Sequence, residues 1–284
     1  MPEKKRKGFR MSKPARAVPA ESSAVLLRED KDGVATLTLN RPEARNALSE
    51  ALLAALIGEL DAIAQDRSVR AVIVAGNGPV FSAGHDLKEM TAHRNEPDRG
   101  RAYFAALFEK CAGMMQQIVH LPQPVIASVH GVATAAGCQL AASCDLVVAS
   151  EAARFATPGV QIGLFCSSPM VALSRKVASN HAIEMLLTGE MVSAKRAYEM
   201  GLVNRVVAAG REREEAIKLA HAITEKSAYV QKIGKEAYYR QRELNLADAY
   251  RYGAKVMAEN MMARDAEEGI LAFIEKRDPK WEDR

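Results

Sequence analysis

The chain has 284 residues, 48% of them hydrophobic, enough to bury a sizeable core. Its formal net charge of +4 is unevenly spread: residues 1–20 hold seven Lys/Arg against Glu3 alone, so this stretch carries +6 and the remainder −2. A body near neutrality has no overall field for a polyanion, which argues against nucleic-acid binding; no apolar run reaches the roughly 18–20 residues that span a bilayer, which argues against a membrane protein.

Residues 1–22, MPEKKRKGFRMSKPARAVPAES, lack the apolar stretch of a secretory signal and any helical periodicity, so a disordered basic tail is expected. The tail reads either as an organellar presequence or as an extension ahead of Met11. The expected location is cytoplasmic, or mitochondrial if the tail is a presequence. The segment GVATLTL at 33–39 alternates apolar and small polar residues and predicts a strand that ends at Asn40-Arg41-Pro42. In 49–65, Leu53, Leu56, Ile57, Leu60 and Ala64 share one helical face, with Asn46 or Ser49 as the N-cap. Buried strands follow at 69–75 (VRAVIVA), 124–129 (PVIASV) and 145–149 (DLVVA), and 101–117 has helical spacing. The run Ala133 to Ser143 reads as a helix of small residues that must pack closely against a backbone or a ligand.

Repeated strand, turn and helix units imply an α/β body of parallel strands covered by helices, over residues 23–192. From 193 to 284 the pattern turns helical and charged, with Met257, Met261, Met262, Ile270, Leu271 and Phe273 as an apolar face. A lone helical tail cannot bury such a face, so docking on the body of the chain or on another subunit is expected, with the subunit preferred. The four cysteines, Cys111, Cys138, Cys144 and Cys166, form no CxxC and read as reduced core thiols. The histidines show no HExxH or HxH spacing, so no metal site is expected.

Two Gly/Ala-rich turns, each after a buried strand and before a helix, stand out: FSAGHDLKEM at 81–90 and GVATAAGCQL at 131–140. Such turns leave backbone N–H groups unshielded, and two of them converging on one oxygen polarise a carbonyl and stabilise an enolate. Neither turn has GxGxxG or GxxxxGK[ST] spacing, which weakens a nucleotide reading.

Together with LNRPEARNALS at 39–49 and FIEKRDPKW at 273–281, these segments resemble the signatures of the crotonase (enoyl-CoA hydratase/isomerase) superfamily over roughly residues 24–281. The segments GHDLKEM, AAGCQLAASCD and FATPGVQIGLFCS are most similar to its branch of enoyl-CoA hydratase domain-containing 3 proteins. The resemblance implies a crotonase-like spiral of ββα units with a C-terminal helical trimerisation region, assembled as a homotrimer or a dimer of trimers. It further implies an acyl-CoA thioester as ligand, with coenzyme A part of the substrate and no separate cofactor. The N–H groups of His85 and Ala136 would form the oxyanion hole. Ala83, His85, Asp86 and Leu87 would lie along the adenine and pantetheine, Arg45 near the phosphates, and Phe273 and Lys276 would close the pocket from a neighbouring subunit.

The sequence departs from the family at the residues that move protons. Hydration of an enoyl thioester needs one group to take a proton from water and another to deliver one to the α-carbon, each worth about 10²–10⁴-fold. The family's two glutamates fall at Gln139 and Gly159 here. Weak or altered hydratase or isomerase chemistry is therefore expected; the alternatives are an inactive CoA-ester binding or regulatory protein and other thioester chemistry such as hydrolysis or decarboxylation. Candidate replacements are Glu109, Asp86, Glu89, Asp145, the Cys166-Ser167-Ser168 loop and the imidazole of His85, against bland readings as helix-face, capping or structural groups. Restoring glutamate at both Gln139 and Gly159 is expected to restore hydration if only the acid–base pair is missing.

Overall fold

The computed structural model describes residues 24–284. The basic segment 1–22, expected to lack structure, falls outside the described residues.

The described chain begins with a hairpin in which β1 (Leu26–Lys31) pairs antiparallel with β2 (Val34–Leu39) through Asp32 and Gly33, both at positive φ. Helix α1 (Glu50–Gln65) follows, and its cap is Ser49, whose hydroxyl accepts from the Leu52 N–H at 3.2 Å. Leu52, Leu53, Leu56, Leu60 and Ile63 form its buried stripe, each Leu worth about 1.5–3 kcal/mol of transfer free energy.

Three units of one long strand, one short strand and covering helices come next. The first is β3 (Ala71–Gly76), β4 (Val80–Ser82), α2 (Leu87–Ala92) and α3 (Arg101–His120). The second is β5 (Val125–Val129), β6 (Val132–Thr134) and α4 (Ala136–Ser143). The third is β7 (Leu146–Ser150), β8 (Arg154–Ala156), α5 (Pro169–Ser174) and α6 (Ser179–Thr188). The chain continues through β9 (Val192–Ser193), α7 (Ala194–Glu199), β10 (Arg205–Val207), α8 (Glu212–Thr224), α9 (Ala228–Gln241), α10 (Leu246–Met261) and α11 (Arg264–Glu275).

The long strands form a six-stranded sheet in the order β1, β2, β3, β5, β7, β10, parallel throughout except for the β1–β2 pair. The short strands form a second sheet, β4, β6, β8, β9, closed by the antiparallel β9. Each unit thus places one strand in each sheet before its helix, which is the ββα spiral. On one face of the large sheet, the main core gathers Leu37, Leu53, Phe81, Met114 and Phe155. On the other, Ala216 and Ala220 of α8 pack against Ile73, Ile126 and Val148. Burial on both faces explains why these strands read as continuous apolar runs.

The small-residue run is not one helix. Val132–Thr134 is strand β6, and α4 starts at Ala136 with all eight of its residues buried. Its close packing has a definite partner: a Cβ on Gly137 would sit 2.2 Å from the Ser82 carbonyl oxygen.

Asp145 fastens the C-terminal helices to the spiral. Its carboxylate accepts from the Val125 N–H (2.7 Å), the Lys235 ammonium (2.7 Å) and the Tyr239 hydroxyl (2.8 Å). Burial pushes the Lys235 pKa down while Asp145 opposes the shift, and the same burial pushes the Tyr239 phenol up. The chain end folds back on α11, where Asp265 accepts from the N–H groups of Glu282 and Asp283, and the Trp281 indole donates to the Glu225 carbonyl at 2.8 Å. On the outer side Met257, Met261, Met262, Phe273 and Ile274 remain exposed.

Candidate active site

The loop before α1 is woven into the turn after β4. Arg45 and Asn46 both take left-handed backbone (φ 54° and 50°). The buried Asn46 side chain holds the loop in that form: its oxygen accepts from the Arg41 N–H at 2.9 Å, and its amide donates to the carbonyls of Asn77 (2.8 Å) and Val80 (2.7 Å). Asn46 is therefore a loop clip and not a helix cap. The Ala83 N–H donates to the Arg45 carbonyl at 3.0 Å, and the Leu48 N–H to the Gly84 carbonyl at 2.7 Å.

Asp86 caps α2 through the N–H groups of Lys88 and Glu89 and pairs with Arg41 at 3.1 Å. Burial would raise its pKa, but hydrogen bonds from Arg41 and the two N–H groups outweigh it and hold the carboxyl below the usual range. Asp86 is thus an ionised structural group.

The two small-residue turns meet. Gly84 (φ 92°) lies so close to the second turn that a Cβ on it would sit 2.9 Å from the Ala135 Cβ and 3.0 Å from the Ala136 nitrogen. The Thr134 hydroxyl ties them further by donating to the Ala83 carbonyl at 3.2 Å. Ala135 takes φ 50°, ψ −119°, a conformation rare outside glycine, and its strain is maintained by the surrounding packing. Neither the His85 N–H nor the Ala136 N–H donates to a protein acceptor among the described residues. Adjacent turns with two free N–H groups can polarise a carbonyl.

The His85 ring packs edge-on against Phe108 of α3, with centroids 5.4 Å apart. Burial pushes its pKa down to about 4, so the imidazole is neutral at pH 7, and its buried Nε2 has no hydrogen-bond partner. A group desolvated this far is a weak base.

One turn after Ala136, Gln139 is 3% exposed; its amide donates to the Ser168 hydroxyl at 3.2 Å, and its Oε1 is buried without a partner. Gly159 lies where the loop 164–166 closes on the chain. A Cβ there would fall 2.0 Å from the Leu164 carbonyl oxygen and 2.9 Å from the Cys166 sulfur. The Leu164 N–H donates to the Gly159 carbonyl at 2.9 Å, fixing this approach. Glutamate at position 159 therefore requires the backbone to move, which removes the physical basis for expecting a simple two-glutamate rescue.

Of the candidate replacement groups, Glu89 and Asp145 are committed elsewhere, Glu109 faces outward and the cysteines are buried thiols. Glu89 accepts from the Glu50 N–H at the start of α1, and Asp145 anchors the C-terminal helices. Glu109 lies on an exposed face of α3. Burial raises the Cys166 pKa and pushes Cys111, Cys138 and Cys144 up to about 12, so these thiols are poor nucleophiles.

Arg45 is exposed and forms no ion pair among the described residues; Ala83 is half-buried beside it, and Leu87 is exposed at the start of α2. Phe273 is 84% exposed on α11 and Lys276 is exposed at its end, so none of the described residues packs them over the two turns. A cavity of about 340 Å³ lined by Met185, Glu190, Met191 and Arg196 contains none of the expected site residues and has no connection to this chemistry. Among the described residues no group of three or more His, Cys, Asp or Glu is placed to hold a metal, and no helix is long and apolar enough to cross a membrane.

Known proteins share both sequence and fold with this chain. A human protein, "Enoyl-CoA hydratase domain-containing protein 3, mitochondrial", is 45% identical over 250 residues, covering 88% of this chain and 81% of that protein. The 2,3-dehydroadipyl-CoA hydratase of Escherichia coli is 35% identical over 264 residues, 93% of this chain and all of that enzyme. The crystal structure of an enoyl-CoA hydratase of Mycobacterium smegmatis superposes with a TM-score of 0.86 at 52% identity, covering 90% of this chain and 98% of that one. The enoyl-CoA hydratase/isomerase family model matches residues 29–284, and the chain belongs to that family.

Proposed function

We propose that this protein binds an acyl-CoA thioester in fatty-acid or acyl-CoA metabolism, and holds its carbonyl oxygen between the N–H groups of His85 and Ala136. The observation that carries this reading is the approach of Gly84 to the Ala136 nitrogen, with both N–H groups free of protein acceptors. Coenzyme A arrives as part of the ligand, along Ala83, Asp86 and Leu87 with its phosphates toward Arg45, and no further cofactor takes part. The polarising donors can lower the cost of an enolate, while an amide at Gln139 and a sterically closed Gly159 supply no proton carrier. Hydration is accordingly slow, and the activity that the site retains is slow exchange of α-protons. Solvent water or buffer takes the proton from the α-carbon and returns one to the enolate held by the two N–H groups. The exposed face of Met257, Met261, Met262, Phe273 and Ile274 supports a homotrimer or dimer of trimers, in which Phe273 and Lys276 reach a neighbour's ligand. The mitochondrial designation of the human relative, with the basic tail, supports a mitochondrial location.

Incubation with a panel of acyl- and enoyl-CoAs in deuterated water tests the enzymatic reading. Deuterium at the α-carbon above the buffer rate, with little hydration, is the expected result. No uptake with any thioester overturns it. The Gly159 closure favours a second reading, a binding protein without turnover, which predicts thioester binding in calorimetry together with no label uptake.

A further inference from the structure

The two proposed donors are held by different means. The Ala136 N–H belongs to the first turn of α4, and the carbonyl of its own peptide, on Ala135, accepts from the Gln139 N–H at 3.0 Å. The helix fixes it. His85 lies outside any helix, between β4 and α2. Its N–H belongs to the Gly84–His85 peptide, which is planar and trans, so the N–H points away from the Gly84 carbonyl. The Leu48 N–H holds that carbonyl at 2.7 Å and thereby sets the line of the donor. An amide whose oxygen accepts a hydrogen bond is also polarised into a stronger donor.

The turn has one pliable point. Gly84, at φ 92°, has no side chain to restrict its backbone, so the peptides on either side of it can swing. The preceding peptide, Ala83–Gly84, is held at both of its polar atoms. Its N–H donates to the Ser82 hydroxyl oxygen at 3.3 Å, and its carbonyl accepts from the Thr134 hydroxyl at 3.2 Å. The Ser82 hydroxyl is anchored in turn, donating to the Asn46 carbonyl at 2.9 Å. Ser82 and Thr134 end the neighbouring parallel strands β4 and β6 and are 0% and 7% exposed, so little water competes for these bonds.

We infer that Ser82 and Thr134 are positioning residues that lock the Ala83–Gly84 peptide and so hold the His85 N–H on the line of a thioester carbonyl oxygen. The inference rests on the acyl-CoA reading above. Both hydroxyls act on the peptide before the donor and touch no ligand. Loss of either one loosens the aim of the donor and leaves the coenzyme A contacts in place, so it weakens polarisation of the carbonyl more than affinity.

Infrared difference spectra of hexanoyl-CoA with an isotope label at its carbonyl carbon, bound to the full chain, test it. Wild type is expected to lower the carbonyl stretch relative to the free thioester. Thr134→Val and Ser82→Ala, which remove one hydroxyl each, should reverse part of that shift. They should also slow deuterium uptake at saturating thioester by about tenfold or more, with calorimetric affinity within about threefold of wild type. Thr134→Ser, which keeps the hydroxyl, should retain the wild-type stretch. Thr134→Val carries the test alone if Ser82→Ala does not fold. A merely structural role would lower the melting temperature of Thr134→Val but leave stretch and exchange unchanged in the folded protein. That result overturns the positioning role and leaves the acyl-CoA reading standing. If wild type binds hexanoyl-CoA without lowering the stretch, or does not bind it, the proposed oxyanion hole falls and the positioning pair with it.

Discussion

The carbonyl oxygen of Leu164 lies 2.0 Å from the point that a Cβ on Gly159 would occupy. Position 159, where the family resemblance would put a second glutamate, is thus closed by main chain, and a change of one side chain cannot reopen it. Gly159→Glu, alone or with Gln139→Glu, should destabilise the fold by about 1–3 kcal/mol, the usual cost of overpacking, and gain no rapid hydration. Denaturant titration reads the first effect, loss of enoyl-thioester absorbance the second. A stable double variant that hydrates crotonyl-CoA at an ordinary enzymatic rate would show that the loop yields freely.

Gly84→Ala addresses the polarising half. Its φ of 92° is unfavourable for alanine, and its Cβ would press on the Ala136 nitrogen and the Ala135 Cβ. A cost of about 1–3 kcal/mol in stability is expected from the backbone strain. Deuterium uptake at the α-carbon should fall further than stability alone explains, measured well below the melting temperature. Unchanged exchange at full folding would move the hole elsewhere.

Much of this architecture is legible in the sequence because it rests on periodicity. The stripe Leu53, Leu56, Leu60 recurs at helical spacing, and VRAVIVA and PVIASV are buried on two faces, so they stand out as continuous apolar runs. The strands β4, β6 and β8 have three residues each, too few for any period to register, and β6 is consequently merged with the helix that follows it. Positions of the site residues follow from the resemblance of motifs, but their surroundings do not. That Asn46 clips two loops, that His85 is desolvated against Phe108 and that Leu164 fills the space beside Gly159 are contacts between segments up to 34 residues apart, which a linear pattern does not encode.

Asp145 holds the C-terminal helices through Lys235 and Tyr239, with side chains 16% and 8% exposed for Asp145 and Lys235. Asp145→Asn should cost about 3–5 kcal/mol, since the Lys235 ammonium would lose its counter-charge while remaining buried. Adding Lys235→Met to that variant should recover part of the loss. Chemical denaturation of these two variants and of Lys235→Met alone measures the coupling, and strict additivity would exclude the pair as the anchor.

Met262 and Phe273, 86% and 84% exposed, place apolar surface in water at the outer side of α10 and α11. If a neighbouring subunit covers them, Met262→Glu with Phe273→Glu should convert a larger assembly into monomers without unfolding it. Sedimentation velocity with circular dichroism checks both parts. A wild-type chain that is monomeric at micromolar concentration would contradict the assembly and deprive the site of Phe273 and Lys276.

The pH dependence of stability should carry the mark of His85. In the folded chain, burial holds its pKa near 4, against about 6.5 for an exposed imidazole. Between these values the unfolded chain binds a proton that the folded chain does not, so stability falls as pH falls from about 6.5 toward 4 and is unaffected by this group above that window. The loss attributable to His85 approaches about 3 kcal/mol at the lower end. Other groups also titrate there, so the informative quantity is the difference between wild type and His85→Phe, whose stability should fall less over the same range. Denaturant midpoints at pH 7, 6 and 5 supply that difference. Parallel pH profiles for the two chains would mean that the imidazole is solvated in the folded protein, and its role as a neutral wall beside the proposed oxyanion hole would fall.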